Sequence, residues 1–230
     1  MLKNDLIYKS PVYKILNPDS ICQVKFGAVL SRAGVGKTQF LVQIALTRLL
    51  NMEKIIHISL DDPMEKINLR YLDSYNNLVD SIGYVDPQKA KRLWEDINQL
   101  KVALSYNEST FDPKKIKEYL NSFKKNSDEL PSIIVIDGLN FDNDLLSLLD
   151  QLAIISKTFD VSLWFSMRTH REEESVSSEG YPNQLEKVKD RFEKALFLNP
   201  RDNKIEATVL KNGEDLNRKY ILDPSTMMPE

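Results

Sequence analysis

The chain has 230 residues, of which 42% are hydrophobic and 28% charged, as expected of one globular domain with a sizeable core. Its formal net charge of -3 gives no support to bulk binding of nucleic acid. The single cysteine, Cys22, excludes an internal disulfide and favours a cytoplasmic protein. No apolar run reaches the roughly 18 residues of a membrane span, so no membrane segment is expected.

Four apolar runs predict buried strands. The runs are continuous instead of alternating, which is typical of a parallel sheet covered on both faces. They are Val24–Leu30, Lys54–Leu60, Ile133–Ile136 and Val161–Met167.

Helical patterns separate these strands. The segment Lys37–Asn51 places its apolar residues on one face at helical spacing. Two later segments begin with Asp-Pro, an N-cap followed by proline at the first helical position. The further predicted helices are Met64–Ser81, Pro87–Leu100, Pro113–Lys125 and Asp144–Thr158. Strands that alternate with helices predict an α/β domain.

The last part of the chain has a different pattern. Ala195–Leu198, Ile205–Leu210 and Tyr220–Leu222 are short strand candidates separated by turn residues. We expect them to form an antiparallel extension of the sheet. The first 20 residues and Thr169–Gln184 are expected to be weakly structured.

A phosphate-binding motif lies between the first predicted strand and the first predicted helix. The segment SRAGVGKT follows the pattern G-x-x-x-x-G-K-[ST], except that Ser31 stands in place of the first glycine. Its glycines would let successive N–H groups face phosphate oxygens. Lys37 would neutralise the β- and γ-phosphates, and the Thr38 hydroxyl would bind Mg²⁺. A chance match is the alternative, but the flanking strand and helix are the context that the motif requires. The predicted ligands are therefore ATP and Mg²⁺, held by Ser31, Arg32, Ala33, Gly34, Val35, Gly36, Lys37 and Thr38.

Two further strand ends carry carboxylates. Asp137 ends an apolar strand, from which it would reach Mg²⁺ or its water shell. A simple strand-end turn or helix cap is the alternative. Asp61 and Asp62 follow the second strand. Hydrolysis of ATP needs a group that orients and deprotonates water, so Asp61, together with Lys37, is the catalytic candidate. Asp62, which precedes Pro63, is expected to cap the next helix.

Three more polar residues are candidates for sensing or sharing the triphosphate. Arg168 and His170 follow the fourth strand and would lie near the γ-phosphate, although a solvated basic loop is the alternative. Lys211 ends a predicted strand and would reach the triphosphate of a neighbouring subunit, unless it is an ordinary turn lysine. His57 lies inside an apolar strand and is expected to belong to the core.

Taken together, these segments resemble the RecA-like P-loop ATPases, above all the KaiC type and the ATPase domain of DnaB-type replicative helicases. The matching text is VLSRAGVGKTQFLVQIAL, IIHISLDD, IIVIDGL, VSLWFSMRTHRE and ATVLKNGED, in that order. The resemblance implies a three-layer core with a mostly parallel central sheet and antiparallel C-terminal strands. It implies a single ATPase domain over residues 21–230, preceded by an N-terminal extension over residues 1–20.

The resemblance also implies a mechanism. In that family an acidic residue after the second strand acts as the catalytic base, and Asp61 stands at the matching position, where most members have glutamate. The family binds ATP between subunits of a ring or filament, with a Lys or Arg contributed in trans, and Lys211 resembles that residue. The implied activity is Mg²⁺-dependent ATP hydrolysis by a homo-oligomer, coupled to a conformational change in the oligomer or a partner.

Nucleic acid is a less favoured partner. The family's DNA-binding loops match Gly138–Asn143 and Thr169–Gln184 here. Clustered glutamates in the second loop would repel phosphates. They are Glu172, Glu173, Glu174 and Glu179, against Arg171. The alternatives to a standalone ATPase are a nucleotide-gated binding module with little turnover, a small-molecule kinase, and a DNA recombination or helicase-type ATPase.

Overall fold

The computed structural model describes residues 2–126, 128–170, 181–211 and 217–230. Their strands are β1 (Phe26–Ser31), β2 (Ile55–Ser59), β3 (Lys101–Ser105), β4 (Ile133–Asp137), β5 (Ser162–Arg168), β6 (Lys194–Arg201), β7 (Lys204–Lys211) and β8 (Lys219–Leu222). Their helices are α1 (Leu2–Lys9), α2 (Pro11–Ile15), α3 (Pro18–Ile21), α4 (Lys37–Leu50), α5 (Met64–Ile82), α6 (Pro87–Asn98), α7 (Pro113–Lys125), α8 (Leu146–Phe159) and α9 (Asn183–Glu186). None of the helices described is long and apolar enough to cross a membrane.

The strands form one mixed sheet in the order β3-β2-β4-β5-β1-β6-β7-β8. The strands from β3 to β6 in this order run parallel, whereas β7 and β8 are antiparallel to their neighbours. The predicted α/β fold with antiparallel C-terminal strands is confirmed. The extension begins one strand later than expected, because β6 pairs in parallel with β1.

Helices cover both faces of the sheet. On one face α4 is buried almost all round, because α5 and the N-terminal helices pack over it. On the other face α7 and α8 enclose an aromatic cluster. In this cluster the Phe165 ring lies 5.2 Å from Phe26, 5.6 Å from Phe192 and 6.0 Å from Phe141. A sheet covered on both faces explains why its strands read as continuous apolar runs.

The expectation of a weakly structured N-terminus is wrong. Residues 2–21 form three short helices, and Leu6, Val12 and Leu16 are fully buried against the core. Ser10 caps α2 by accepting a hydrogen bond from the Val12 amide at 3.2 Å, and it also bonds the Thr47 hydroxyl at 3.1 Å. The missed signal is a polar cap followed by proline, which the sequence carries at Ser10-Pro11 and again at Asn17-Pro18.

Strand β3 was also missing from the sequence prediction. It is an edge strand whose side chains are only half-buried, so its sequence lacks a long apolar run. The carboxyl ends of β1, β2, β4 and β5 all reach the same edge of the sheet, because these strands are parallel. In open α/β sheets this edge is where ligands bind.

Candidate functional site

The segment 31–38 forms a tight loop between β1 and α4. The chain turns at Gly34, with a φ of 78°, and at Gly36, with a φ of 119°, and both values favour glycine. Gly36 is the N-cap of α4, and no side chain caps this helix end. The first amides of α4 are therefore left for another acceptor, and they carry the positive end of the helix dipole. Such a helix end suits a phosphate.

Serine in place of glycine at position 31 has a structural explanation. Ser31 is the last residue of β1, is fully buried, and is not among the residues with positive φ. The glycine of the motif is therefore not required by the backbone here. The Ser31 hydroxyl donates to the Arg32 carbonyl at 2.9 Å, so it is satisfied within the loop.

Lys37 folds back over this loop. Its Nζ donates to the carbonyl oxygens of Ser31 at 3.1 Å and Arg32 at 3.0 Å. Burial lowers the pKa of the lysine; Arg168 lowers it further, while Asp137 and Asp61 act in the opposite direction. Within the part of the chain that the structure describes, no ion pair neutralises Lys37. The loop thus holds a cation against neutral partners.

The neighbouring strands bring acidic and basic groups to the same edge. Arg168 ends β5 directly beside Ser31, and Asp137 ends β4 beside Ser59 of β2. Asp137 is only 6% exposed, whereas Arg168 is exposed. The side chains predicted as metal ligand and sensor therefore lie on the edge that carries the glycine loop.

Asp61 lies against the backbone that follows β4. A Cβ atom built on Gly138 would come within 2.7 Å of Asp61 Oδ2, so the carboxylate occupies the space that the glycine leaves open. Partial burial of this carboxyl raises its pKa. The negative charges of Asp137, Asp62 and Glu108 also raise it, and only Arg168 counteracts them. A carboxylate with a raised pKa is suited to accept a proton.

The expectation that Asp62 caps the next helix is wrong. Helix α5 has Pro63 at its N-cap and no side-chain cap. The Asp62 carboxylate instead accepts hydrogen bonds from Lys66 at 2.7 Å and Arg70 at 3.1 Å. Burial alone would raise the pKa of Asp62, but these two cations lower it. Adjacent carboxylates in one turn therefore have opposite environments, one neutralised and one not.

The two histidines differ as expected in burial. His57 is fully buried; its Nδ1 lies 2.9 Å from the Tyr71 hydroxyl, and burial lowers its pKa to about 4. His170 is partly exposed, and its Nε2 lies 2.7 Å from Asp142 Oδ2. Asp142 also accepts a hydrogen bond from Gln184 at 3.1 Å. His170 thus links the segment after β5 to the loop after β4, a contact that the sequence did not indicate.

The glutamates expected to repel nucleic acid lie outside the described residues, as do all of positions 171–180. Lys211 ends β7, where it pairs with Ala195, and its Nζ donates to the Lys189 carbonyl at 2.6 Å. Ala195 in turn pairs with Ala28, in the middle of β1. Lys211 is therefore not brought to the carboxyl edge of β1 in its own chain.

One residue at the loop was missed by sequence reasoning. Met227 follows the last strand and is 1% exposed, with its thioether against Gly36. No local signal connects positions so far apart in the chain. Only the folded sheet brings the C-terminal segment to the glycine loop.

Comparison with known proteins supports the fold. No family model matches the sequence, and no curated protein matches it either. Among solved structures, the ATPase domain of a DnaB-like helicase superposes with a TM-score of 0.60 over 86% of this chain and 80% of that chain. The sequence identity is 14%, so this likeness bears on the fold alone. The chain has the RecA-like P-loop fold.

Proposed function

We propose that this chain is a RecA-like ATPase that binds ATP with Mg²⁺ at residues 31–38 and hydrolyses it. The observation that carries the proposal is the arrangement of charges at one edge of the sheet. Lys37 lies over the uncapped start of α4, and two carboxylates, Asp137 and Asp61, lie at neighbouring strand ends. The fold match to the helicase ATPase domain supports the same interpretation.

The loop fits a triphosphate. The backbone at Gly34 and Gly36 is in the left-handed region, and the amides that open α4 have no side-chain cap. Lys37 bonds only oxygens of Ser31 and Arg32. Exchanging those neutral acceptors for phosphate oxygens turns ordinary hydrogen bonds into charge-assisted ones, which are roughly twice as strong. Lys37 would therefore move from the loop to the β- and γ-phosphates.

The metal would be held by Thr38 and Asp137. Thr38 lies in the first turn of α4, and Asp137 is the largely buried end of β4. Hydroxyl and carboxylate oxygens are ligands that suit Mg²⁺. When bound, the ion would supply neutralisation of charge on the β- and γ-phosphate oxygens.

Asp61 is the proposed catalytic base. Its carboxylate has no cationic partner within hydrogen-bond distance among the described residues, and its raised pKa favours taking a proton from water. Arg168 is the proposed sensor of the γ-phosphate, since it ends the strand between β1 and β4. Asp61 is one methylene shorter than the glutamate of most KaiC-type and DnaB-type members. We therefore expect slow hydrolysis.

The active form is proposed to be a homo-oligomer of the KaiC or DnaB type. Lys211 lies away from the glycine loop of its own chain, so it would complete a site only on another copy. In this proposal residues 21–230 form the ATPase domain and residues 1–20 are an extension. Turnover per subunit would then rise with protein concentration as shared sites assemble.

The first test compares Lys37→Ala with Lys66→Ala, a surface lysine that pairs with Asp62. We expect wild type to bind Mg²⁺-ATP and release phosphate. Lys37→Ala should weaken ATP binding about ten- to a hundredfold, the equivalent of one or more lost charge-assisted hydrogen bonds. Lys66→Ala should retain wild-type affinity in the same calorimetric titration.

Other results would change the interpretation. Equal ATP affinity in Lys37→Ala and wild type would refute the proposed site. Tight binding without phosphate release would instead identify a nucleotide-gated binding module. Turnover per subunit that is independent of protein concentration would refute the shared site and leave the rest intact.

A further inference from the structure

The segment that follows β8 is a closed loop next to the glycine loop. Leu222 forms a bridge with Pro229, and the Asp223 amide donates to the Met228 carbonyl at 2.9 Å. Inside this loop the Asp223 carboxylate accepts hydrogen bonds from the amides of Ser225 at 3.0 Å and Thr226 at 2.9 Å. The loop is therefore held by its own hydrogen bonds, independently of any nucleotide.

Met227 is the residue by which this loop contacts the glycine loop. Its backbone has a φ of 59°, an uncommon conformation for a residue with a side chain. Its amide donates to the Asp223 carbonyl at 2.8 Å, which holds that conformation. The side chain is 1% exposed and packs with the buried cluster that includes α4. Such strained positions persist where the surrounding structure determines them.

The contact falls on Gly36, the residue that begins α4. A Cβ built on Gly36 would lie 2.9 Å from the Met227 Cε and 3.0 Å from its Sδ. The thioether thus fills the space beside the glycine backbone. The Gly36 carbonyl accepts the hydrogen bond of the Phe40 amide at 2.9 Å, the first turn of the helix. Any shift of Gly36 would change the direction of the amides that face the phosphates.

We propose that Met227 is a positioning residue of the phosphate-binding loop. By filling the space at Gly36, it holds the loop in the conformation that receives phosphate. The consequence for nucleotide binding rests on the proposed function, whereas the effect on the loop itself does not. The C-terminal loop, residues 223–228, is therefore a structural part of the site.

The test uses three variants of the whole chain. Met227→Ala removes the thioether. Met227→Leu nearly conserves its volume. Leu120→Ala is the matched control, because it makes a comparable cavity in α7, in the cluster on the other face of the sheet. Each is assayed for Mg²⁺-ATP affinity by calorimetry and for amide exchange at Phe40 without nucleotide.

We expect Met227→Ala to weaken ATP binding roughly tenfold, since small misplacements of a binding group have effects of this order. Its Phe40 amide should exchange faster than in wild type. Met227→Leu should restore affinity to within about twofold. Leu120→Ala should keep wild-type affinity and Phe40 exchange, although it is less stable. Wild-type affinity and exchange in Met227→Ala would overturn the proposal.

The two proposals fail separately. If wild type binds no ATP, the proposed function fails, and exchange at Phe40 alone decides the role of Met227. If Met227→Ala does not fold, wild type with and without Mg²⁺-ATP decides instead. Nucleotide should then slow exchange of the Met227 and Met228 amides, whose acceptors lie within the C-terminal loop. Unchanged exchange of these amides in nucleotide-saturated wild type would refute the proposal.

Discussion

The carboxyl edge of the parallel strands and the antiparallel end of the sheet both contain partly buried charges, but they treat them differently. In β7, Glu206 is 7% exposed and lies 3.1 Å from both Arg201 and Lys219. At the carboxyl edge, Lys37 and Asp61 have no oppositely charged hydrogen-bond partner in the described residues. The pKa of Lys37 is lowered and that of Asp61 is raised, so both charged forms are disfavoured there.

This difference separates a stabilising arrangement from a functional one. A charge that is half-buried without a counter-ion costs stability, because it loses hydration without a compensating partner. Proteins keep such charges where a ligand supplies the missing partner or where a proton is transferred. A triphosphate with Mg²⁺ would supply both missing partners at the carboxyl edge. No ligand is needed at the antiparallel end.

The largest expected effect comes from Asp61→Asn, which removes the proposed base. Turnover should fall about 10²- to 10⁴-fold, the usual contribution of general base catalysis. ATP affinity should change little, because Asp61 is not a proposed phosphate or metal ligand. The measurement is steady-state phosphate release beside calorimetric ATP affinity. Asp61→Asn with wild-type turnover would remove Asp61 from the mechanism.

Asp62→Asn is the matched control, and the pH dependence of unfolding distinguishes the two. The folded pKa of Asp61 is raised above its ordinary 3.8, so its contribution to stability is present below that value and lost as pH rises through the folded pKa. Asp61→Asn should therefore be more stable than wild type at neutral pH, with the difference shrinking in acid. The folded pKa of Asp62 is lowered, so its contribution is present above 3.8 and lost as pH falls. Asp62→Asn should be less stable at neutral pH, and equal pH profiles for the two variants would contradict this comparison.

The next effect is that of Gly138→Ala, which tests the seat of the Asp61 carboxylate. Gly138 has a φ of 98°, and an added Cβ would lie 2.7 Å from Asp61 Oδ2. We expect a loss of about 1–3 kcal/mol of stability from backbone strain, and a clear fall in turnover because Asp61 must move. Gly83→Ala is the control, since Gly83 has a φ of 92° and nothing within 4 Å of the added atom. Chemical denaturation and phosphate release should show similar strain in both variants, but lost turnover only in Gly138→Ala.

The smallest effect is expected from Glu206→Gln at the antiparallel end. Its partners Arg201 and Lys219 are more than half exposed, so losing both pairs should cost at most about 1 kcal/mol. High salt should reduce that cost, and turnover should be unchanged. Urea unfolding at two salt concentrations measures both points. A large loss of turnover in Glu206→Gln would mean that the two regions are not separate in function.

Much of the fold could be predicted from local patterns. Continuous apolar runs predicted β1, β2, β4 and β5 because both faces of the sheet are covered. Asp-Pro signals located the starts of α6 and α7, because cap and proline act within one turn. Edge strand β3 was missed because half-burial leaves no long apolar run.

The site was predictable to the same extent and for the same reason. The glycine loop is a contiguous motif whose backbone demands are read directly from Gly34 and Gly36. The role of Asp62 was wrongly predicted, because its ion pairs with Lys66 and Arg70 depend on how α5 leaves the loop. His170 met Asp142 only through the packing of two loops.

The sequence by itself determined the strand–helix alternation, the phosphate-binding loop and the carboxylates at strand ends, because each depends on neighbours within a few positions. Only the tertiary structure decided that Asp61 rests on Gly138 and that Met227 packs on Gly36. It also decided that the first 20 residues are buried on α4. Those contacts join distant parts of the chain, and they form because the order of strands in the sheet brings those parts to the same place.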